Sequence, residues 1–321
     1  MWLTTFKRNI EESTRVTYHY NYDRMKECLG WRKLSKLGII EIQECFNNMV
    51  SDDARKKSKT TLNDMLDKAV LSGKLKSNPA KTLVIKIDGD EKEEKRIFSV
   101  REEKLVLDYC KNHSIYYNLI AFMLVTGLRI GEATGLTWKQ VDFNKKCLYV
   151  KDSNSKVSGY KGESVKYVMK STKTKKSVRT IPITNNAMTI LREQKELFAN
   201  LTLDEQSNLD RVFISSVKKP VNYSTFRSHL ERMCKGIQRE NPNFENFTSH
   251  ALRHTFATRC IEGEMNPKTL QKILGHSTLA QTMDTYVHVT EDNLFKEMSK
   301  FENYMKSCES NSKIIEFPRT A

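Results

Sequence analysis

A charge-dense stretch at residues 88–96, with the sequence DGDEKEEKR, divides the chain into two parts. It contains no hydrophobic residue, which is typical of a solvated linker rather than of a packed helix or strand. We therefore expect a first domain at residues 1–86, a linker at 87–97, a second domain at 98–306 and a tail at 307–321. A chain of 321 residues is long enough to form two hydrophobic cores.

Apolar residues at helical spacing predict that both parts are mainly α-helical. In the first part Tyr18, Tyr22 and Met25 are spaced by four and three, which places them on one face of a helix. In the second part Ser99 is placed to cap a helix. Further helices are predicted at residues 39–50, 53–72, 115–125, 130–136, 186–199, 223–237, 250–261, 267–274, 278–286 and 291–306.

Three short β-branched runs, at residues 148–150, 165–169 and 178–183, are typical of strands. We expect them to form one small sheet. The predicted fold class is therefore mainly α with a small antiparallel β-sheet (α+β).

The net charge indicates the kind of partner, and the cysteine content indicates the cellular compartment. The net charge is +15, and such a surplus suits a polyanion because each phosphate that is neutralised releases counterions. No stretch approaches the ~20 apolar residues of a membrane span, and the N-terminus lacks the apolar core of a secretory signal. The seven cysteines are scattered singly, without a C-x-x-C pair. This favours reduced thiols in a cytoplasmic protein over a disulfide scaffold or a zinc site.

Several catalytic motifs are absent from the sequence. There is no G-x-x-x-x-G-K-[S/T] loop for nucleotide phosphates and no G-x-S-x-G nucleophile motif. No acidic cluster stands out that would hold the metal ions of a two-metal nuclease. If the chain acts on phosphodiesters, we expect it to need neither metal, ATP nor another cofactor.

Residues 126–136, with the sequence TGLRIGEATGL, place Arg129 after a glycine turn at the start of a short helix. Backbone N–H groups and a guanidinium fork there can bind phosphate. An ordinary surface arginine between two core helices is the alternative.

Residues 249–258, with the sequence SHALRHTFAT, contain His250 and Arg253 one helical turn apart. A spacing of three places both on one face, where they can present a proton carrier beside a phosphate clamp. A pair of surface polar residues is the alternative.

His276 follows Gly275, which is expected to end a helix that begins at Pro267. Its side chain can then reach into a cleft. Tyr286 comes ten residues later and is a usable nucleophile only where cations stabilise its phenolate. Tyr286 covering an apolar face is the alternative.

Residues 170–182, with the sequence KSTKTKKSVRTIP, form a basic turn between two predicted strands. The turn can carry a lysine into a DNA groove as a general acid, with Lys173 as the candidate and Lys175 as its rival. A solvated lysine-rich hairpin is the alternative.

The ordered combination of these motifs resembles the catalytic set of tyrosine recombinases, in particular the integrases of phages and conjugative transposons. The resemblance spans essentially the whole chain, and its strongest motifs lie at residues 126–288. It implies that the first part is a core-DNA-binding domain and that residues 98–306 are the catalytic domain, which together close as a C-shaped clamp on DNA. Integrases of this type often begin with an arm-binding domain, and we expect that this domain is absent here or was removed.

The resemblance also implies roles and partners. Arg129 and Arg253 would hold the scissile phosphate, and Tyr286 would form a 3′-phosphotyrosine. The remaining catalytic residues implied are Lys173, His250 and His276. The expected partner is double-stranded DNA with specific recombination sites, bound by a homo-tetramer that holds two duplexes. An accessory DNA-bending or excision factor is a further expected partner. The expected location is the bacterial cytoplasm, in association with the nucleoid. The alternatives are a dimer-resolving recombinase, a type IB topoisomerase and a non-catalytic DNA-binding regulator on the same fold.

Overall fold

The structure is a computed structural model. It describes residues 2–85, 95–157, 159–161, 163–164, 166–171, 178–199, 210–215, 219–283 and 298–307.

The first part is a helical bundle with its own core. Its elements are α1 (Trp2–Phe6), α2 (Glu12–Leu29), α3 (Ile39–Asn47), α4 (Asp52–Leu71) and two 3-10 turns (Leu34–Lys36 and Pro79–Thr82). Leu29, Ile42, Phe46 and Leu66 lie in the buried cluster between these helices. The predicted helices at 39–50 and 53–72 are confirmed within a few residues at each end.

Two cysteines meet where α2 packs against α3. The Cα atoms of Cys28 on α2 and Cys45 on α3 lie 5.6 Å apart. The other cysteines of the described ranges, Cys110, Cys147, Cys234 and Cys260, are free. The expectation of reduced thiols stays a prediction for the pair of Cys28 and Cys45.

The second part contains most of the helices. They are α5 (Val100–His113), α6 (Tyr117–Thr126), α7 (Ile130–Gly135), a 3-10 turn (Trp138–Gln140), α8 (Asn185–Ala199), α9 (Tyr223–Gln238), α10 (Ser249–Glu262), α11 (Pro267–Leu274), α12 (Leu279–Met283) and α13 (residues 298–307). Helix α6 is buried along most of its length, with Ile120, Phe122 and Met123 fully enclosed. Because α6 packs against both α8 and α10, it is the central helix of the larger core.

The strands are β1 (Val141–Asp142), β2 (Cys147–Val150), β3 (Asp152–Val157), β4 (Lys166–Ser171) and β5 (Arg179–Pro182). Within the described residues they form two antiparallel sheets, a three-stranded one in the order β1-β2-β5 and the hairpin β3-β4. The antiparallel β-structure and the mainly α fold class are confirmed. The expectation of a single sheet was wrong, because the strand predicted at 165–169 pairs with β3 instead of with β2 or β5.

Two glycines with positive φ end the helices that lead to the site. Gly127 ends α6 with φ 64°, and Gly275 ends α11 with φ 66°. A side chain at Gly127 would also collide with the ring of Phe256 on α10. Glycine therefore permits both the left-handed turn and the close approach of α6 to α10.

The two parts contact each other through α2 and the turn after β3. The hydroxyl of Tyr160 donates to a carboxylate oxygen of Asp23 at 2.6 Å, and Lys161 forms an ion pair with the same carboxylate at 3.0 Å. The boundaries proposed at residues 86 and 97 stay predictions, since residues 86–94 lie outside the described ones. In the described ranges, no helix combines the length and the apolar character that crossing a membrane requires.

Candidate active site

Arg129 occupies the residue before the first turn of α7. Its backbone N–H and its Nη1 donate to the two carboxylate oxygens of Glu132, at 3.0 and 3.1 Å. Nη1 also donates to the carbonyl oxygen of Leu274 at 3.3 Å. The side chain is 34% exposed, so part of its guanidinium faces the solvent.

Arg253 lies on α10 and is almost completely buried. Its Nη1 donates to the carbonyl oxygen of Gly127 and its Nη2 to that of Leu274, both at 2.7 Å. Since Arg129 donates to the same Leu274 oxygen, the two guanidinium groups converge on one backbone atom. Burial, followed by the charge of Arg129, lowers the pKa of Arg253 to about 9, which still leaves it protonated at neutral pH.

Glu132, which was not among the predicted site residues, is a buried carboxylate at the centre of this arrangement. Arg179 on β5 reaches it with a two-pronged contact, Nη1 to Oε1 at 3.0 Å and Nη2 to Oε2 at 2.9 Å. Burial raises the pKa of Glu132, but the hydrogen bonds and charge of Arg179, with Arg129 and Arg253, outweigh it and lower the pKa to about 2. Glu132 is therefore an anion at any physiological pH.

Two features position His276. The turn at Gly275 is closed by the backbone N–H of His276, which donates to the carbonyl of Gln271 at 3.1 Å. The Nδ1 atom of His276 lies 2.9 Å from the hydroxyl of Thr282, which is itself buried. Burial, followed by the charges of Arg253 and Arg129, lowers the pKa of His276 to about 3, so this imidazole is neutral at physiological pH.

His250 is the second residue of α10, the helix that carries Arg253, and it is exposed to solvent. Partial loss of solvent, followed by the charges of Arg253 and Arg129, lowers the pKa of His250. His254 lies one turn further along α10, with its ring centroid 6.4 Å from that of His250. Burial, followed by the charge of Lys95, lowers the pKa of His254 to about 4. His254 is a second residue that the sequence analysis did not select, although it lies within the motif that carries the other two.

The structure thus brings four of the six predicted site residues into one region, namely Arg129, His250, Arg253 and His276. Lys173, with its rival Lys175, and Tyr286 lie outside the described residues, and their positions stay predictions. In the described part of the site, three arginines face a single carboxylate, Glu132. The excess of positive charge, together with the exposed part of Arg129, makes the pocket suited to an anion such as a phosphodiester.

Two bacterial relatives match most of the chain. A protein described as "Tyrosine recombinase XerC-like" from Caldanaerobacter subterraneus subsp. tengcongensis is 32% identical over 90% of this chain and 77% of its own length. The transposase from transposon Tn916 of Enterococcus faecalis is 28% identical over 91% of this chain and 73% of its own.

Solved structures show the same fold. The integrase of transposon Tn1549, in complex with a circular intermediate DNA, superposes with a TM-score of 0.81 at 23% identity and covers 92% of this chain and 96% of its own. A lambda integrase dimer bound to a COC′ core site gives a TM-score of 0.64 at 18% identity, over 88% and 93% of the two chains.

The model of the phage integrase family matches residues 90–293. The matched segment is more than half of the chain and contains all six predicted site residues. The chain belongs to the phage integrase family of tyrosine recombinases.

Proposed function

We propose that this protein is a site-specific DNA recombinase that integrates or excises a mobile element through a 3′-phosphotyrosine intermediate. The observation that carries the proposal is the convergence of Arg129 and Arg253 on the carbonyl of Leu274, two residues before His276. Two guanidinium groups and a neutral imidazole around one point can bind the non-bridging oxygens of a phosphodiester. The names of the transposon relatives support a mobile element as the substrate.

In the proposed cleavage step the phenol oxygen of Tyr286 attacks phosphorus. The bond between phosphorus and the 5′ oxygen breaks, which leaves a 3′-phosphotyrosine and a free 5′-hydroxyl. Arg129 and Arg253 stabilise the negative charge that builds up in the pentavalent transition state. Loss of one such donor typically costs about 3 kcal/mol, or about a hundredfold in rate.

Two residues move the protons in this proposal. His250 accepts the proton of the Tyr286 phenol, and its lowered pKa keeps the imidazole neutral and able to accept. Lys173 donates a proton to the departing 5′ oxygen, with Lys175 as the rival. Because the covalent bond to Tyr286 conserves the phosphodiester energy, religation requires neither metal nor ATP.

His276 acts as a hydrogen-bond donor to a phosphate oxygen. A neutral imidazole carries its proton on only one nitrogen. When the hydroxyl of Thr282 donates to Nδ1, the proton is held on Nε2, the nitrogen that is left to face the phosphate. In this proposal the Thr282 hydroxyl acts as the donor, which favours the Nε2–H tautomer of His276 that can donate to the phosphate.

Recombination exchanges strands between two duplexes, for which we propose a homo-tetramer. The support comes from α13 (residues 298–307), which exposes a row of large apolar side chains. They are Met298, Phe301, Tyr304 and Met305. Such a face is suited to docking on a neighbouring protomer. We also propose that an accessory DNA-bending or excision factor takes part. The proposed location is the bacterial nucleoid, in the cytoplasm.

The decisive experiment uses a nicked suicide substrate, in which the departing strand is lost and the covalent complex accumulates. The wild-type protein, in the presence of EDTA, is expected to form an SDS-resistant complex with DNA. Tyr286→Phe should bind the same DNA and form none. The control variant Tyr304→Phe keeps the aromatic ring on the α13 face, removes only a hydroxyl and should behave as the wild type. A covalent complex that survives Tyr286→Phe would contradict the assigned nucleophile.

A second assay separates the related activities. Two duplexes with recombination sites are mixed, and the products are resolved by size. Exchange of strands between the duplexes is expected of a recombinase, whereas relaxation of a supercoil by resealing of the same strand is the property of a topoisomerase. DNA binding without any covalent complex would instead identify a non-catalytic regulator. A preference for transposon ends over chromosomal dimer sites distinguishes an integrase from a dimer-resolving recombinase.

A further inference from the structure

We propose that Arg179 is a positioning residue for the cleavage reaction: it occupies the carboxylate of Glu132 so that the guanidinium of Arg129 stays available for phosphate. This inference rests on the proposed function. Arg179 lies on β5, opposite Val150 of β2, and none of the roles proposed above involves it. Its side chain is only 7% exposed.

The contacts of Arg179 join three elements that bear the site. Its two terminal nitrogens meet both oxygens of Glu132 on α7, at 3.0 and 2.9 Å. Its Nε donates to the carbonyl of Ile273, on α11, at 2.6 Å. One planar guanidinium thus connects the sheet, the helix that follows Arg129 and the end of α11.

The contacts between Arg179 and Glu132 determine which donors of Arg129 stay available for phosphate. Among the described contacts of the Arg129 side chain, only Nη1 is engaged, through single bonds to Glu132 and to Leu274. A carboxylate and a guanidinium form their strongest contact as a parallel fork. If Arg179 did not fill that fork, Glu132 would take Arg129 as its bidentate partner. The remaining donors of Arg129 would then turn away from the phosphate.

Arg179 also supports the backbone to which both clamp residues bond. The carbonyl of Ile273 immediately precedes that of Leu274, the shared acceptor of Arg129 and Arg253. A Cβ atom placed on Gly275 would lie 3.1 Å from a terminal nitrogen of Arg179. The turn that leads to His276 therefore packs directly on this arginine.

The charges that face Glu132 give the proposal a distinct pH signature. They are Arg129 at the start of α7, Arg179 from β5 and Arg253 from α10. Arg179 contributes most to the lowering of the Glu132 pKa. Without it, the carboxyl would gain a proton at a higher pH than in the wild type, because burial alone raises its pKa.

The test compares Arg179→Met with the wild-type protein on the suicide substrate. We expect the covalent cleavage rate at saturating protein to fall about ten- to a hundredfold, the range typical when a supporting residue of a site is lost. The affinity for uncleaved DNA should stay within about twofold, because many phosphate contacts contribute to it. The ratio of the variant rate to the wild-type rate should rise as the pH is lowered, because a protonated Glu132 no longer competes with the phosphate for Arg129.

Arg211→Met is the matched control. Arg211 also supports α7, since its Nη1 donates to the carbonyl of Thr134 at 3.0 Å, and the three arginines that lower the pKa of Glu132 are Arg129, Arg179 and Arg253. Its replacement should lower the melting temperature without changing the cleavage rate or its pH profile. A purely structural role for Arg179 would make the two variants behave alike.

Arg179→Lys keeps the positive charge but cannot form the two parallel hydrogen bonds to Glu132. This variant replaces Arg179→Met in the test if the methionine variant does not fold. It is expected to restore the pH profile but to cleave more slowly than the wild type. A folded Lys or Met variant that cleaves within twofold of the wild-type rate would overturn the inference. If the wild-type protein itself forms no covalent complex, it is the proposed function that fails, and the two failures are thereby distinguished.

Discussion

At the residue scale, we propose that the hydroxyl of Thr282 favours one tautomer of the His276 ring. Thr282 is buried and lies 2.9 Å from Nδ1 of His276, whose pKa is lowered to about 3 by burial and by the charges of Arg253 and Arg129. Thr282→Val removes the hydroxyl at nearly constant volume, and with it the hydrogen bond that is proposed to hold the His276 proton on Nε2. We expect the cleavage rate to fall about tenfold, or about 1.4 kcal/mol in activation free energy. Single-turnover kinetics on the suicide substrate measure this.

Thr258→Val is the control for that variant. The hydroxyl of Thr258, on α10, is buried and has no hydrogen-bond partner among the described residues. Its replacement removes no hydrogen bond and should leave the cleavage rate unchanged. Equal rates for Thr282→Val and the wild type would show that the hydroxyl does not select the tautomer.

At the element scale, α5 starts at a reciprocal cap. The hydroxyl of Ser99 accepts from the backbone N–H of Glu102 at 3.2 Å, and the carboxylate of Glu102 accepts from the N–H of Ser99 at 2.9 Å. Ser99→Ala should destabilise the first turn by about 1 kcal/mol. Hydrogen exchange of the amide of Glu102 should then become about fivefold faster. Ser228→Ala, at an exposed position within α9, should leave exchange in α5 unchanged, and an unaltered rate in Ser99→Ala would contradict a stabilising cap.

At the scale of the whole molecule, the first and second parts contact each other through the charged carboxylate of Asp23. Asp23 on α2 accepts from the hydroxyl of Tyr160 at 2.6 Å and pairs with Lys161 at 3.0 Å. The hydrogen bond from Tyr160, followed by that from Lys161, lowers the pKa of Asp23. The contact is therefore present above the ordinary aspartate pKa and is lost as the pH falls through the lowered value.

Asp23→Asn should weaken this contact between the two parts. We expect a larger radius of gyration for the free protein in small-angle X-ray scattering and faster dissociation from DNA. Asp67→Asn is the matched control, because Asp67 pairs with Lys81 and Asn78 inside the first part. If both variants scatter like the wild type, the Tyr160 contact does not hold the parts together.

The local features of the site could be predicted from the sequence because they depend on near neighbours. Asn266 and Pro267 begin α11 and Gly275 ends it with positive φ, as their side-chain chemistry requires. His250 and Arg253 share a helix face because three residues make nearly one turn. The family could be predicted from the order of such motifs, and the comparisons confirm it.

Long-range pairings could not be predicted in this way. Glu132 looked like one more acid on a short helix, because its partner Arg179 lies 47 positions further along the chain. The close approach of Cys28 to Cys45 and the pairing of β3 with β4 depend likewise on which segments meet.

The sequence by itself therefore determined the helix ends, the side chains that share a helix face and the chemical groups available for a phosphate. These follow from backbone conformation and from contacts within about one helical turn. Only the tertiary structure decided that Arg129 and Arg253 meet at the carbonyl of Leu274 and that Arg179 occupies Glu132. The physical reason is that a buried charge needs a partner, and the packing of distant elements selects which partner comes within reach.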